Sequence, residues 1–547
     1  MISGAELLRS LALRGKDQFC LRVMPPAALA ETALIRCGVL SDRKRLRPEE
    51  QPFVIFQLAR RSSGYFSGVS SLQDAVDLSD AVNMMRQRFE ADESRGLHLA
   101  LPKGEFADKN AALLEIYDLY TAWLSENGMT DDVGLMRFAL DRAVLPDAEL
   151  LLPEEFGLSP LEKALVTRLS GEKARTVALR ELFGAPPPSG PRLDSLTEVY
   201  GAVNEVDRLI ADIYGRRIPP DQCVVAVTDP AAYGQLFYEL ACEKGIPVAL
   251  GPGVPVADTR PAGLLDLWTK WNGVGFHGVD ALQAMVFSES FDRSVLKDLL
   301  GRGRTEEDGP VPLRRLTELA GKLRLGQDRE LGLRRVAAWR ETLSEASGDL
   351  RWADALQTLC GELALPCGAF LTKYAAVRPH PVGGPLDRAA LRAITDILDM
   401  EKRFPGTVRT EDLVSAALRQ TVMAEQALPG RLFVTTLEGA MAAARDHLYI
   451  LGMSADLFPG RPAENALVLD SDWDLLPEPG TAPTSRNRIR QARERLNALD
   501  LLAAALDIDV HIYWPCVNLT DMKAMNPSSA VYDLRRLFPE VLPRKAG

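Results

Sequence analysis

Two apolar runs joined by an alanine-rich segment constrain this chain most. The stretch Thr435–Pro459 reads TTLEGAMAAARDHLYILGMSADLFP and continues directly from RLFV. RLFVTT and HLYILG are continuous apolar runs of strand length, the pattern of strands buried inside an α/β sheet. The connection between them, GAMAAA, is almost bare of polar groups. Loops between strands are where α/β proteins usually keep their polar chemistry. The stretch therefore predicts an α/β interior whose central loop is empty.

The rest of the chain alternates in character. At 547 residues it exceeds one hydrophobic core, and length predicts roughly three or four domains. AELLRSLALRG predicts a helix ending at Gly15, and FCLRVM a strand ending at Pro25 and Pro26. In KNAALLEIYDLYTAWLSENG, Leu113, Ile116, Tyr117, Tyr120 and Leu124 share one helix face, with Gly128 as the stop. ELLL near 150 predicts a strand, Pro160 opens a helix, and TVAL a further strand. GAPPPSGP at 184–191 is the clearest linker. After it, Val199, Val203, Val206, Ile210 and Ile213 predict one helix face. CVVAVTD (223–229), a helix over 231–243 stopped by Gly245, and IPVAL then make a βαβ unit. Residues 261–405 carry helical patterns. Strands return near 431–435, 447–452 and 509–514.

Charge and cysteine usage narrow the class. The formal net charge of −11 argues against a non-specific nucleic-acid coat, though not against a local basic groove. The seven cysteines are scattered with no C-x2-C pair, which predicts reduced thiols in a cytoplasmic protein rather than a zinc or iron–sulfur site. No apolar run reaches membrane-spanning length, and Glu6, Arg9 and Arg14 interrupt the N-terminal apolar residues of what would otherwise be a signal segment.

The order α/β, helical, α/β, linker, βαβ, helical, α/β resembles the core of a superfamily I, UvrD-like helicase. The resemblance implies two RecA-like domains of the P-loop-NTPase type, each with a mainly α-helical insertion. Residues 198–260 resemble the start of the second RecA-like domain, and KNAALLEIYDLYTAWLSENGMTDD the first helical insertion of the B subunit of AddAB-type helicase–nucleases. The region 430–459 resembles the surroundings of helicase motif V. PSSAVYDLRRLF (527–538) resembles the segment that precedes that subunit's C-terminal nuclease domain. The implied organisation is 1–40 with 146–190 as a remnant of the first RecA-like domain and 41–145 as its insertion. The second domain comprises 191–260 with 406–517, its insertion 261–405, and 518–547 a tail leading towards a nuclease domain.

The departures from that pattern decide the expected function. Active enzymes of the family carry T-x-H-S-x-K-G-L-E-F at motif V. Aligned on Thr436, this chain has Glu438 for the histidine, Met441 for the lysine, and Ala442, Ala443, Ala444 and Arg445 for Gly-Leu-Glu-Phe. The arginine-bearing T-R-A-R of motif VI falls on Ala504, Ala505, Leu506 and Asp507, so the arginine that stabilises transferring phosphate charge is missing. Pro153 and Glu154 stand where the Walker B Asp-Glu would hold magnesium. G-x4-G-K-[ST] occurs nowhere, which removes the backbone nest for phosphates. No PD-(D/E)xK carboxylate–lysine set precedes the end of the chain at Gly547, and the subunit's iron–sulfur cysteines are unmatched. The expectation is a non-catalytic, cofactor-free helicase-like module for DNA binding or scaffolding in double-strand break repair and recombination. Its expected partners are single-stranded or forked DNA and an active helicase–nuclease subunit. Two alternatives remain: a fragment of an active ATP-dependent nuclease or helicase whose P-loop and nuclease domain lie outside this sequence, and a protein-interaction scaffold that does not bind DNA.

Other signals carry less. Gly273 to Gly278 fits G-x-G-x-x-G, but a helical pattern precedes it where a dinucleotide fingerprint needs a strand, so a turn between helices is the better reading. Asp470, Asp472 and Asp474 alternate like a calcium loop but lack its glycine and its final glutamate, and fit a helix start with first-turn acids. Arg486, Arg488, Arg490 and Arg493, with Arg495, are candidates for phosphate-backbone contact on one helix, against the plainer reading of a solvated face paired with Glu494. The histidines at 98, 277, 380, 447 and 511 form no ligand or catalytic spacing, and His447 and His511 are expected as packed or capping strand residues.

Overall fold

A computed structural model of the chain describes residues 2–546 except 17–20, 40–42, 63, 89–92, 146, 155–156, 185–191, 273–287, 293, 296–312, 325–328, 343–352, 355, 359–360, 363–364, 405–407, 424–428, 461–464 and 476–508. The chain divides into two compact units. One comprises 1–237, 247–252 and 425–547; the other comprises 238–246 and 253–424.

The first unit is built on a seven-stranded, all-parallel sheet. In chain order its strands are β1 Arg192–Val199, β2 Cys223–Val227, β3 Val248–Leu250, β4 Leu432–Thr436, β5 His447–Leu451, β6 Asp509–Pro515 and β7 Arg544–Ala546. Their spatial order is β7-β1-β6-β5-β2-β4-β3. β5, β2 and β4 are adjacent interior strands, and their near-continuous apolar sequences follow from burial on both faces. Parallel strands cannot be joined by a tight turn: the helix Ala202–Gly215 connects β1 to β2, the helix Pro230–Lys244 connects β2 to β3, and the alanine-rich segment connects β4 to β5, which flank β2. The predicted strands at 431–435, 447–452 and 509–514 and the βαβ unit around 223–250 are therefore present.

One face of the sheet packs on α1 (Ile2–Leu13) through Leu7 and Leu11, with Leu179, Phe183, Ala530 and Val531 completing the layer. The sheet side of this layer is supplied by Leu193, Leu196, Val224, Phe433, Leu448, Ile450, Val510, Ile512 and Trp514. The opposite face packs on α3 (Ala202–Gly215) through the buried stripe Val206, Leu209, Ile210 and Ile213. That stripe begins later than the sequence predicts. Val199 belongs to β1, not to a helix, and Val203 is exposed, because the chain turns at Gly201, whose φ is +84°.

The strand predicted at 19–24 is absent from its described part, residues 21–24. The strand predicted near 150 exists as Leu150–Pro153, paired in parallel with Ala174–Val177 as a separate two-stranded sheet. The long helix α2 (Ala107–Glu126) buries Leu113, Ile116, Tyr117, Tyr120 and Leu124 on the predicted face, and Gly128 follows it with φ +60°. α4 (Pro230–Lys244) is the helix of the βαβ unit.

The second unit is mainly helical. Helices Arg260–Asn272, Cys367–Tyr374, Gly383–Leu398 and Thr410–Arg419 enclose Asp387, which is fully buried. Its carboxylate accepts from the Arg378 and Arg260 backbone N–H groups (2.9 and 3.3 Å) and from the Tyr238 hydroxyl (3.3 Å), the satisfaction a buried carboxylate requires. Among the described residues no helix is long and apolar enough to cross a membrane.

Candidate functional site

The crossover from β4 to β5 is the stretch whose sequence resembles the surroundings of helicase motif V, and its geometry is that of a packed plug. Thr436 Oγ1 accepts from Gly439 N (3.1 Å) and opens a single helical turn, Leu437–Ala440. Leu437, Ala440, Met441, Ala442, Ala443 and Ala444 are all buried in the layer beneath α1, while Glu438 is exposed. Small side chains let α1 approach closely enough for Ser10 to bond the crossover backbone twice: its hydroxyl donates to Ala442 O (3.3 Å) and accepts from Ala444 N (3.0 Å). Arg445 turns away from solvent. Its Nε donates to Glu6 Oε1 (2.7 Å), and Nη1 donates to Cys223 O and Arg431 O (2.8 Å each), at the start of β2 and just before β4. Of the positions compared with motif V, Met441 and Ala444 are core residues and Glu438 faces water.

Pro153 ends the separate strand, and the exposed Glu154 continues it through a backbone bond, Glu154 N to Val177 O (3.1 Å). Ala505 and the candidate arginines Arg486, Arg488, Arg490 and Arg493 lie outside the described residues, as does the 273–278 glycine pattern.

Ligand sites of open α/β sheets lie beyond the carboxyl ends of the strands. Here the ends of β2 and β5 are tied together. Glu205, at the start of α3 and fully buried, accepts from Gly452 N (2.8 Å) and from the Tyr233 hydroxyl (2.5 Å). Thr228 Oγ1 donates to Gly452 O (2.8 Å). Burial pushes the Glu205 carboxyl up to about 8, against which the two donated hydrogen bonds work. Gly452 has φ +79°, and an added Cβ would meet Thr228 and the Tyr233 ring, so the backbone approaches here as only glycine permits.

A third feature lies on the α3 face near the sheet edge. The register between β1 and β6 slips between Val510 and His511, leaving Asp194 as an extra residue. This bulge shifts the inward–outward alternation: Leu193 and Leu196 share the α1 face, while Ser195 and Thr197 turn to the other. With His511, Tyr513, Arg208, Asp212, Arg216, Arg544 and Lys545 they line a polar cleft of about 450 Å³. His511, itself buried, is fixed on both sides. Its Nδ1 lies 2.9 Å from Ser195 Oγ and 3.2 Å from Asp194 Oδ2, and its Nε2 lies 3.2 Å from Arg216 Nη1. Arginine only donates, so Nε2 accepts and Nδ1 carries the proton. Burial lowers the His511 pKa to about 4, keeping the ring neutral despite Asp194. Tyr449 stacks on the ring, with centroids 4.6 Å apart. The sequence reading of His511 as a packed strand histidine matches its burial but missed the cleft it faces.

Two of the other singled-out residues make structural contacts. Asp472, on the short helix Asp470–Asp474, is buried and accepts from Leu469 N, Asn110 Nδ2 and Lys109 Nζ, which ties this segment to α2. His380 Nδ1 accepts from Val382 N and Gly383 N at a helix start. Cys37, Cys223, Cys242, Cys367 and Cys516 are free thiols. Among the described residues no group of histidine, cysteine and carboxylate side chains is arranged to hold a metal.

No family model matches this chain. A stretch of 121 residues, 21% of the chain, is 33% identical to the B subunit of the ATP-dependent helicase/deoxyribonuclease of Symbiobacterium thermophilum, and spans 10% of that protein's length.

Proposed function

We propose that this chain is a helicase-like module without nucleotide chemistry. It serves as a scaffolding and DNA-guiding part of a helicase–nuclease assembly that repairs double-strand breaks by recombination. Its partners are an active helicase–nuclease subunit and single-stranded or forked DNA. The local similarity to the B subunit of a helicase/deoxyribonuclease supports the setting. One observation carries the non-catalytic reading: Met441 to Arg445 are buried under α1, with Arg445 spent on Glu6 and strand-end carbonyls. Transition-state stabilisation of phosphoryl transfer needs cations aimed at the phosphate oxygens, and this crossover aims none outward.

Two measurements test the reading. Isothermal titration with ATP and magnesium is expected to give no heat of binding, and magnesium-dependent micromolar affinity would overturn the non-catalytic assignment. Electrophoretic mobility shift with forked DNA is expected to give a complex that weakens between about 50 and about 200 mM salt, as phosphate contacts do. Absence of any complex at low salt would leave a protein-interaction scaffold in its place.

A further inference from the structure

The cleft beside α3 is not used by the helicase-like reading and contains an unusual surplus. Arg216 is held by Asp212 (3.6 Å), by Asp194 (3.7 Å) and by His511, and Lys545 lies 3.6 Å from Glu198. Arg208 and Arg544 line the same cleft, one from α3 and the other from β7. Both are exposed, and among the described residues neither has a carboxylate within ion-pair distance. Arg208, Arg216, Arg544 and Lys545 face two carboxylates, Asp194 and Asp212, so the cleft holds a surplus of positive charge in a chain of net charge −11.

We propose that this cleft binds a phosphate group, gripped by Arg208 and Arg544 from either side. Guanidinium is the side chain that best matches phosphate oxygens, presenting paired N–H donors in a fixed plane. The floor is already organised for an anion above it. Neutral His511 accepts from Arg216 at Nε2 and donates from Nδ1 towards Ser195 or Asp194, and Arg216, placed between Asp194 and Asp212, offsets part of the charge of these two wall carboxylates. At about 450 Å³ the space exceeds a single phosphate, so the group is carried on something larger or joined by a second. Two sources share this chemistry: the phosphodiester backbone of a nucleic-acid strand, and free phosphate or a small phosphate ester. With a strand backbone as the source the inference rests on the proposed DNA-guiding role, whereas with a small phosphate it holds without it.

The test uses the full chain in magnesium-free buffer with two probes, inorganic phosphate followed by calorimetry and a fluorescent single-stranded oligodeoxythymidine followed by anisotropy. The double variant R208A/R544A is expected to weaken whichever probe binds at least tenfold. R208K/R544K, which keeps the charge but not the planar fork, is expected to recover only part of that loss. R535A/R536A, two exposed arginines on the helix Ser529–Leu537, removes the same charge elsewhere and is expected to bind as the wild type does. Circular dichroism confirms that each variant is folded. Loss of phosphate binding assigns the small-anion source, and loss of oligonucleotide binding alone assigns the strand backbone. The proposal is overturned if the wild type binds neither probe, if R208A/R544A binds normally, or if R535A/R536A weakens binding equally.

Discussion

Arg445 Nε lies 2.7 Å from Glu6 Oε1, an ion pair between residues 439 positions apart with both side chains 1% exposed. It fastens the N-terminal helix to the amino ends of the central strands, because the same guanidinium reaches the carbonyls of Cys223 and Arg431. Removing one partner of a buried pair leaves the other uncompensated, at a cost of about 3–5 kcal/mol. R445A is expected to lose stability on that scale in urea unfolding. E6A, which also strips Arg9 of a carboxylate at 3.2 Å, is expected to match it. The double variant should cost less than the sum of the two, since neither then leaves an orphaned charge. Additive losses would show that the two groups act independently.

Glu205 and His511 give the chain opposite pH dependences. Glu205 has a folded value of about 8 against an ordinary 4.5, so the fold holds its proton where the unfolded chain has released it. Stability from this group is full below pH 4.5 and is lost as pH rises towards 8. His511, at about 4 against 6.5, behaves the other way: the unfolded chain takes up the proton first, so stability is lost as pH falls from 6.5 to 4. Of these two groups only Glu205 still contributes above pH 6.5. E205Q should flatten the decline between pH 6.5 and 8, whose slope approaches about 1.4 kcal/mol per pH unit for one proton. Unfolding curves that fall equally in wild type and E205Q over this range would refute the buried protonated carboxyl.

The parts of the fold that were readable in the sequence are those with one dominant environment. β2, β4 and β5 are buried on both faces and so are written as unbroken apolar runs, and α2 carries a complete helical stripe. β1 was not readable. RLDSLTEV has one apolar and one polar face, and the bulge at Asp194 breaks the period-two alternation that would have revealed it. The crossover could be recognised as stripped of polar groups, but its burial could not, since Ser10 lies 434 residues from the Ala444 amide it bonds. The cleft was invisible for the same reason. Its residues come from 194–216, 511–513 and 544–545, and only the sheet order β7-β1-β6 brings them together.

Asp472 is a second long-range tether. It is fully buried and receives Asn110 Nδ2 at 2.7 Å, Leu469 N at 3.0 Å and Lys109 Nζ at 3.4 Å. Lys109 keeps one other acceptor, Leu467 O at 2.6 Å, so losing the carboxylate does not strand it entirely. D472A is therefore expected to cost about 3 kcal/mol, from unmet donors as well as lost charge. Because the bonds join 465–475 to α2, limited proteolysis of D472A should cut first within that segment. Wild-type stability with unchanged cleavage would show that the tether is dispensable.

Placing the helicase motif V residues at the crossover separates a sealed plug from a site that can still open. Glu438 is exposed, so E438H changes only a solvated side chain and is expected to alter stability by less than about 0.5 kcal/mol. Met441 is 1% exposed and packs in the apolar layer with Leu7, Leu11 and Ala440. M441K brings an ammonium into that layer, and it must either shed its hydration or push α1 aside, at a cost of several kcal/mol. The double variant E438H/M441K is expected to be as unstable as M441K alone and to hydrolyse no ATP above background in a coupled assay. The two outcomes that sink this view differ. Full stability in M441K would mean that the crossover opens readily to solvent. Magnesium-dependent ATP hydrolysis by the double variant would mean that the remaining frame still orients a nucleotide, and that the substitutions alone had silenced it.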